Sequence, residues 1–106
     1  MTTWIVTRHQ GAKQWLGQQA IKSDFIVDDL NIDLPQAGDT IIGMLPIQHV
    51  ATLNQRGVRY LHLCLQTPEP LRGHELVADQ IAEFDGHLQE YQAITIQPGN
   101  TDVNIS

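Results

Sequence analysis

Trp4-Ile5-Val6-Thr7-Arg8-His9-Gln10-Gly11 reads as an apolar strand that ends in a cation and an imidazole and turns at glycine into a helix. An open α/β sheet binds its ligands beyond the carboxyl ends of its strands, so this placement puts Arg8 and His9 where a site would form. A planar guanidinium suits phosphate because it donates two parallel hydrogen bonds. An imidazole suits proton transfer because it titrates near neutrality. The stretch therefore predicts both a fold and a phosphate-handling chemistry.

Working outward, the first strand spans Thr3 to Arg8 and the helix Gly11 to Ala20, with Ala12, Trp15, Leu16 and Gln19 on one face. Phe25-Ile26-Val27 is a second strand ending in Asp28-Asp29. The segment Leu30–Asp39 is a connection rich in turn residues. Thr40–Met44 is apolar along most of its length, as a central parallel strand should be. Pro46 opens a second helix, which runs to about Gln55 before Gly57 stops it, and Val58–Leu65 is a fourth strand. From Glu75 to Tyr91 the apolar residues Val77, Ile81, Phe84, Leu88 and Tyr91 recur at helical spacing and predict a long helix. That stripe serves either packing on the sheet or a dimer seam. Ile94-Thr95-Ile96 reads as a short edge strand. Strands alternating with helices predict a mainly parallel sheet flanked by helices, a Rossmann-like α/β fold with the first and third strands central. Residues 1–97 form one domain in this reading, and 98–106 a polar C-terminal tail.

Bulk properties narrow the function. The 106 residues suffice for one domain with a real core, and 42% are hydrophobic. The net charge is −6, with six Lys and Arg in all, so a basic stripe for duplex nucleic acid is absent. The lone cysteine, Cys64, reads as a core residue. The N-terminal sequence has no basic, long apolar leader and no segment approaches a membrane span, so the expectation is a cytoplasmic protein without a membrane partner.

Three segments should meet at the carboxyl edge of the sheet: Thr7-Arg8-His9-Gln10-Gly11, then Gly43-Met44-Leu45-Pro46 with His49, then Gln66-Thr67-Pro68 with Arg72. Arg8, His9 and His49 are the candidate catalytic residues. Thr7, Gly11, Gly43, Leu45, Gln66, Thr67 and Arg72 are the candidate ligand contacts, aided by helix N-termini that favour anions. His62, inside a strand, reads as structural, and His74 and His87 as solvent-facing. Asp28, Asp29 and Asp39 read as solvated strand and turn ends. No Walker-type or dinucleotide-binding glycine motif occurs, and no Cys/His pair has zinc spacing, so neither a metal nor a cofactor is expected.

The motifs T-R-H-x-G-A at residues 7–12, G-D-T-I-I-G-M-L-P at 38–46, R-G-V-R-Y-L-H-L at 56–63 and L-R-G-H-E-L at 71–76 occur in order. Together they resemble a small type III CRISPR-associated ring nuclease family, the Csx sixteen family, from about Thr3 to Tyr91. The resemblance implies a CARF-like, Rossmann-like fold and a homodimer. It also implies that the ligand is a cyclic oligoadenylate, cyclic tetra-adenylate first, whose degradation switches off type III signalling. It carries no catalytic assignment; the residues above rest on position.

Such a ring places each ribose 2′-hydroxyl beside a 3′–5′ phosphodiester. Metal-independent attack by the 2′-oxygen would give linear products with 2′,3′-cyclic phosphate ends. A non-catalytic sensor or sponge for the same ring needs the same phosphate contacts. A histidine phosphatase is a third reading, from Arg-His after a first strand, but Gln10 interrupts that motif.

Overall fold

Short apolar runs separated by amphipathic helices assemble into one sheet in the computed structural model, which describes residues 1–96. Strand β1 (Thr3–Val6) leads into helix α1 (Gln10–Gln18) and strand β2 (Phe25–Val27). Strand β3 (Thr40–Gly43), helix α2 (Ile47–Gln55) and strand β4 (Arg59–Cys64) follow. A 3-10 turn at Glu69–Leu71, helix α3 (Ala78–Glu83) and strand β5 (His87–Tyr91) complete the described chain. The strand order is β2-β1-β3-β4-β5, parallel except for β5, which runs antiparallel to β4. The fold is Rossmann-like, as expected. β1 and β3 are neighbours, with Ile5 opposite Ile42 and Val6 opposite Gly43. The chain moves outward in opposite directions from this pair, and such a reversal opens a crevice at the carboxyl ends.

Side-chain alternation divides the core between the two faces. Ile5, Ile42 and Leu63 pack with Trp15 and Leu16 of α1 and with Ala78 and Ile81 of α3. Val6, Ile41 and Tyr60 pack beneath Val50 and Leu53 of α2. Both faces of β3 are therefore covered, which is why its sequence is apolar without a polar alternate. Burying each such aliphatic side chain contributes about 1.5–3 kcal/mol. Two glycines permit close backbone approach beside the crevice. A Cβ on Gly43 would stand 2.4 Å from the Val6 carbonyl oxygen, and one on Gly11 would stand 1.9 Å from that of Leu76.

The segment after Glu75 departs from the sequence expectation. The long helix of residues 75–91 is instead a six-residue helix, a turn and a strand. Asp85 has φ +62° and the Gly86 N–H donates to the Ile81 carbonyl at 2.8 Å, which closes the helix. A Cβ on Gly86 would sit 2.5 Å from Ile81 Cγ2, so only glycine fits there. Leu88 still faces the core, but from a strand. The helical stripe, and the dimer seam it offered, do not exist. No strand forms at Ile94–Ile96; the Ala93 N–H donates to Asn54 Oδ1 at 2.7 Å, turning the chain off the ladder toward α2. The tail from residue 98 lies outside the described residues.

Asp39 is also unlike its sequence reading: it is buried rather than solvated. Its Oδ2 accepts from the Gln36 N–H at 3.0 Å and from Trp4 Nε1 at 3.4 Å, and its Oδ1 from the Thr2 N–H at 3.0 Å. The carboxylate thereby ties the start of β1 to the turn before β3. Donation from Gln36 is the largest cause of a carboxyl held below the usual aspartate range. A lowered native value means that the unfolded chain takes up the proton first on acidification. Stability measured by urea midpoint should thus fall as pH drops from about 4, the ordinary aspartate value, through the lower native value. Asp39→Asn should lower the midpoint at pH 7 and shrink that acid loss.

Candidate functional site

The carboxyl ends of β1, β3 and β4 frame a cavity of about 730 Å³. That is within the range of roughly 300–1,000 Å³ common for small-molecule sites. Thr7 and His9 enter it from the β1–α1 loop, Gly43 and Met44 from the end of β3, and His62 and Cys64 from β4. Thr67, Arg72 and His74 come from the β4–α3 connection, and Tyr91 from β5. Among the described residues no Asp or Glu lines this cavity, although the chain carries twelve and has a net charge of −6. A second hollow of about 380 Å³ adjoins it, lined by Arg8, Asp28, Asp29, Leu45, Pro46 and His49, among others. Thr7, His9 and Met44 line both and form the ridge between them.

Arg8 is already engaged. Its guanidinium grips Asp29 in a bidentate pair, with Nη2 2.7 Å from both carboxylate oxygens. Lys13 Nζ lies 2.9 Å from Asp28 Oδ1. The acidic pair after β2 thus neutralises the two cations beside it, and the hydrogen bond that Arg8 donates to Asp29 is the main reason the Arg8 pKa is raised. Both Arg8 and Asp29 are exposed, so the pair contributes little to stability. Arg72 is different. It donates weakly from Nε to the Thr67 carbonyl at 3.4 Å, and among the described residues no carboxylate pairs with it. It is the cation that faces the acid-free cavity.

The remaining candidates divide. His49 and Leu45 line the second hollow, and Gln66 lines a further hollow with Thr67 and Arg72. Gly11 lines neither of the two main hollows; its missing side chain accommodates the Leu76 backbone. The first N–H of α1, on Gln10, donates to Glu75 Oε1 at 3.3 Å, so that helix start holds an internal anion. Among the described residues no three His, Cys, Asp or Glu side chains come together as a metal-binding group. No helix among them is long and apolar enough to cross a membrane.

His62, read from the sequence as a structural strand residue, lines the cavity. Its Nδ1 lies 2.6 Å from the Tyr60 hydroxyl. That hydroxyl also accepts from the Leu45 N–H at 2.8 Å and lies 3.0 Å from the Gly43 carbonyl. Burial holds the phenol above its ordinary pKa and pushes the imidazole below its own. The available signal was the spacing: residues i and i+2 share one face of a strand, so Tyr60, His62 and Cys64 point the same way.

The fold and crevice define a Rossmann-like α/β protein with an anion-compatible cavity at its topological switch point. A family model described as "Putative CRISPR-associated protein (Cas_VVA1548)" matches residues 4–94, and the chain belongs to that CRISPR-associated family. No curated protein and no solved structure matches the chain.

The Tyr60 hydroxyl binds the end of β3 to the following loop, and burial raises the cost of removing it. Tyr60→Phe should destabilise the fold by about 1–3 kcal/mol, the usual cost of stranding buried hydrogen-bonding partners. Chemical denaturation checks this. A loss under about 0.5 kcal/mol, the scale of a neutral surface change, would contradict it.

Proposed function

We propose that the protein is a ring nuclease. In this reading it binds a cyclic oligoadenylate, cyclic tetra-adenylate first, in the cytoplasm and opens it by attack of a ribose 2′-hydroxyl on the adjoining phosphodiester. One observation carries the reading: among the described residues of an acidic chain no carboxylate lines the cavity at the carboxyl ends of the strands, while Arg72 and three histidines do. That lining favours a small anion over a duplex. Membership of a CRISPR-associated family supports a ligand from that system, and the resemblance of the four motifs to ring nucleases supports the ring.

The chemistry needs in-line placement of the 2′-oxygen, charge stabilisation on the phosphoryl oxygens and movement of one proton. Orientation alone can contribute about 7–11 kcal/mol in ideal intramolecular cases. Arg72 meets the phosphoryl charge in the larger cavity, and Arg8 meets the next phosphate from the smaller hollow once it releases Asp29. His9, on the ridge, and His49, beyond it, stand near both. A ring of four nucleotides is larger than the drug-sized ligand such a cavity encloses. Two protomers about a two-fold axis would each take half of it.

Cyclic tetra-adenylate labelled on its phosphates, incubated with the protein in EDTA, should yield linear products ending in 2′,3′-cyclic phosphate. Arg72→Ala and Arg8→Ala should each weaken ring binding by about 10- to 150-fold, the scale of a charge-assisted hydrogen bond. Asp29→Asn should tighten it by freeing Arg8. A ring bound but left intact for hours would replace the nuclease with a sensor.

Assembly has its own check. Light scattering should give a dimer at micromolar concentration in the presence of the ring. A monomeric mass with and without ligand would remove the two-fold site.

A further inference from the structure

Three contacts converge on one phenolic oxygen, and they fix a proton. A phenol offers one donor and two acceptor positions. Leu45 can only donate, because its contact is a backbone N–H. Gly43 can only accept, because its contact is a carbonyl. All three contacts are satisfied together in a single way: Leu45 N–H and His62 Nδ1–H donate to the Tyr60 oxygen, and the Tyr60 hydroxyl donates to the Gly43 carbonyl. Reversing the His62 contact would give the phenolic proton to Nδ1 and take it from the Gly43 carbonyl. The neutral His62 ring therefore carries its proton on Nδ1, and Nε2 is left with a lone pair. Among the described residues Nε2 makes no hydrogen bond and is not buried without a partner. The ring belongs to the wall of the acid-free cavity.

We propose that His62 Nε2 accepts the proton of the attacking ribose 2′-hydroxyl, with Tyr60 as the positioning residue that fixes its tautomer. The inference rests on the ring nuclease reading and names the base within it. The 2′-oxygen gives its proton to Nε2 and forms the new O2′–P bond. The P–O5′ bond breaks, the departing 5′-oxygen takes a proton from water, and His62 later returns its own to solvent. His9 and His49 lack this preparation: among the described residues neither ring has a hydrogen-bond partner to set its tautomer. Burial also keeps His62 neutral at pH 7, as a base must be. The titratable and charged groups sharing its cavity are His9, Cys64, Arg72, His74 and Tyr91, with Tyr60 behind it. From α2, His49 faces the adjoining hollow. Tyr91 stands edge-on to the imidazole, with ring centroids 6.0 Å apart.

Single-turnover cleavage of cyclic tetra-adenylate in EDTA tests this. His62→Gln should slow cleavage by roughly 10²–10⁴-fold, the ordinary worth of a general base, while ring affinity stays within a few-fold. The wild-type rate should fall as pH drops through a histidine limb lying below about 6.5, the free value, and that limb should vanish in His62→Gln. Long-range nitrogen–proton NMR of the wild-type imidazole needs no variant and should show a protonated Nδ1 and a bare Nε2. Tyr60→Phe should mix the two tautomers and slow cleavage less than His62→Gln does. A wild-type protein that cleaves, beside a His62→Gln variant that cleaves equally fast, overturns the assignment and leaves the nuclease standing. A wild-type ring that stays intact overturns the nuclease and this step with it. An Nε2–H tautomer overturns the assignment whatever the activity.

Discussion

Tyr60 spends one hydroxyl on three segments that would otherwise meet only at the end of the sheet. Gly43 closes β3, Leu45 lies in the loop that leads into α2, and His62 stands two residues along β4. The phenol accepts from the Leu45 N–H, just beyond the end of β3, and donates to the Gly43 carbonyl at that end. The loop after β3 is therefore held by a side chain of the neighbouring strand, so its position follows from the sheet itself. The same hydroxyl orients the imidazole. Loop, strand end and titratable group are coupled through one oxygen, and burial strengthens each contact by excluding water.

Electrostatics is arranged by segregation. Asp28 and Asp29 leave β2 beside the β1–α1 loop and neutralise Lys13 and Arg8. Glu90 does the same for Arg59 across the β4–β5 ladder. Glu75, at the surface, accepts from the first N–H of α1. None of these carboxylates lines the larger cavity, whose wall holds Arg72 and three histidines. A net charge of −6 repels polyanions at long range, yet a small anion that reaches the cavity meets no carboxylate among the described residues of its wall.

The parallel part of the fold was legible because it obeys local rules. Thr40–Gly43 is apolar on both faces, and Pro46 can only begin a helix. The residues of β1 end in polar groups where a crevice requires them. The last third was not legible, for a physical reason. Spacings of four, three, four and three fit a helical stripe, but they equally fit a one-turn helix followed by a strand. Gly86 decides between them, and its decisive feature is a clash with Ile81 that only the folded backbone reveals. The Arg8–Asp29 pair was hidden similarly, since it depends on β2 lying beside β1 in a register that sets Val6 against Val27. Asp39 looked like a turn residue because its three donors come from Gln36, Thr2 and Trp4, two of them distant in sequence.

His62 shows how the misread end of the chain reshapes the site. If residues 75–91 formed one helix, β4 would be an edge strand and His62 would have no neighbouring strand beside it. With β5 paired alongside, Gln89 lies opposite His62 and Tyr91 presents its ring edge to the imidazole. The fifth strand half-buries the histidine, and that burial lowers its pKa. An exposed imidazole at the sheet's edge would be partly charged near neutrality and free to rotate. Covered on one side by Tyr91 of β5 and tied on another to Tyr60, the His62 side chain is shifted toward its neutral form and still lines the cavity. The antiparallel strand that sequence periodicity concealed is thus what gives the proposed base its partly buried setting.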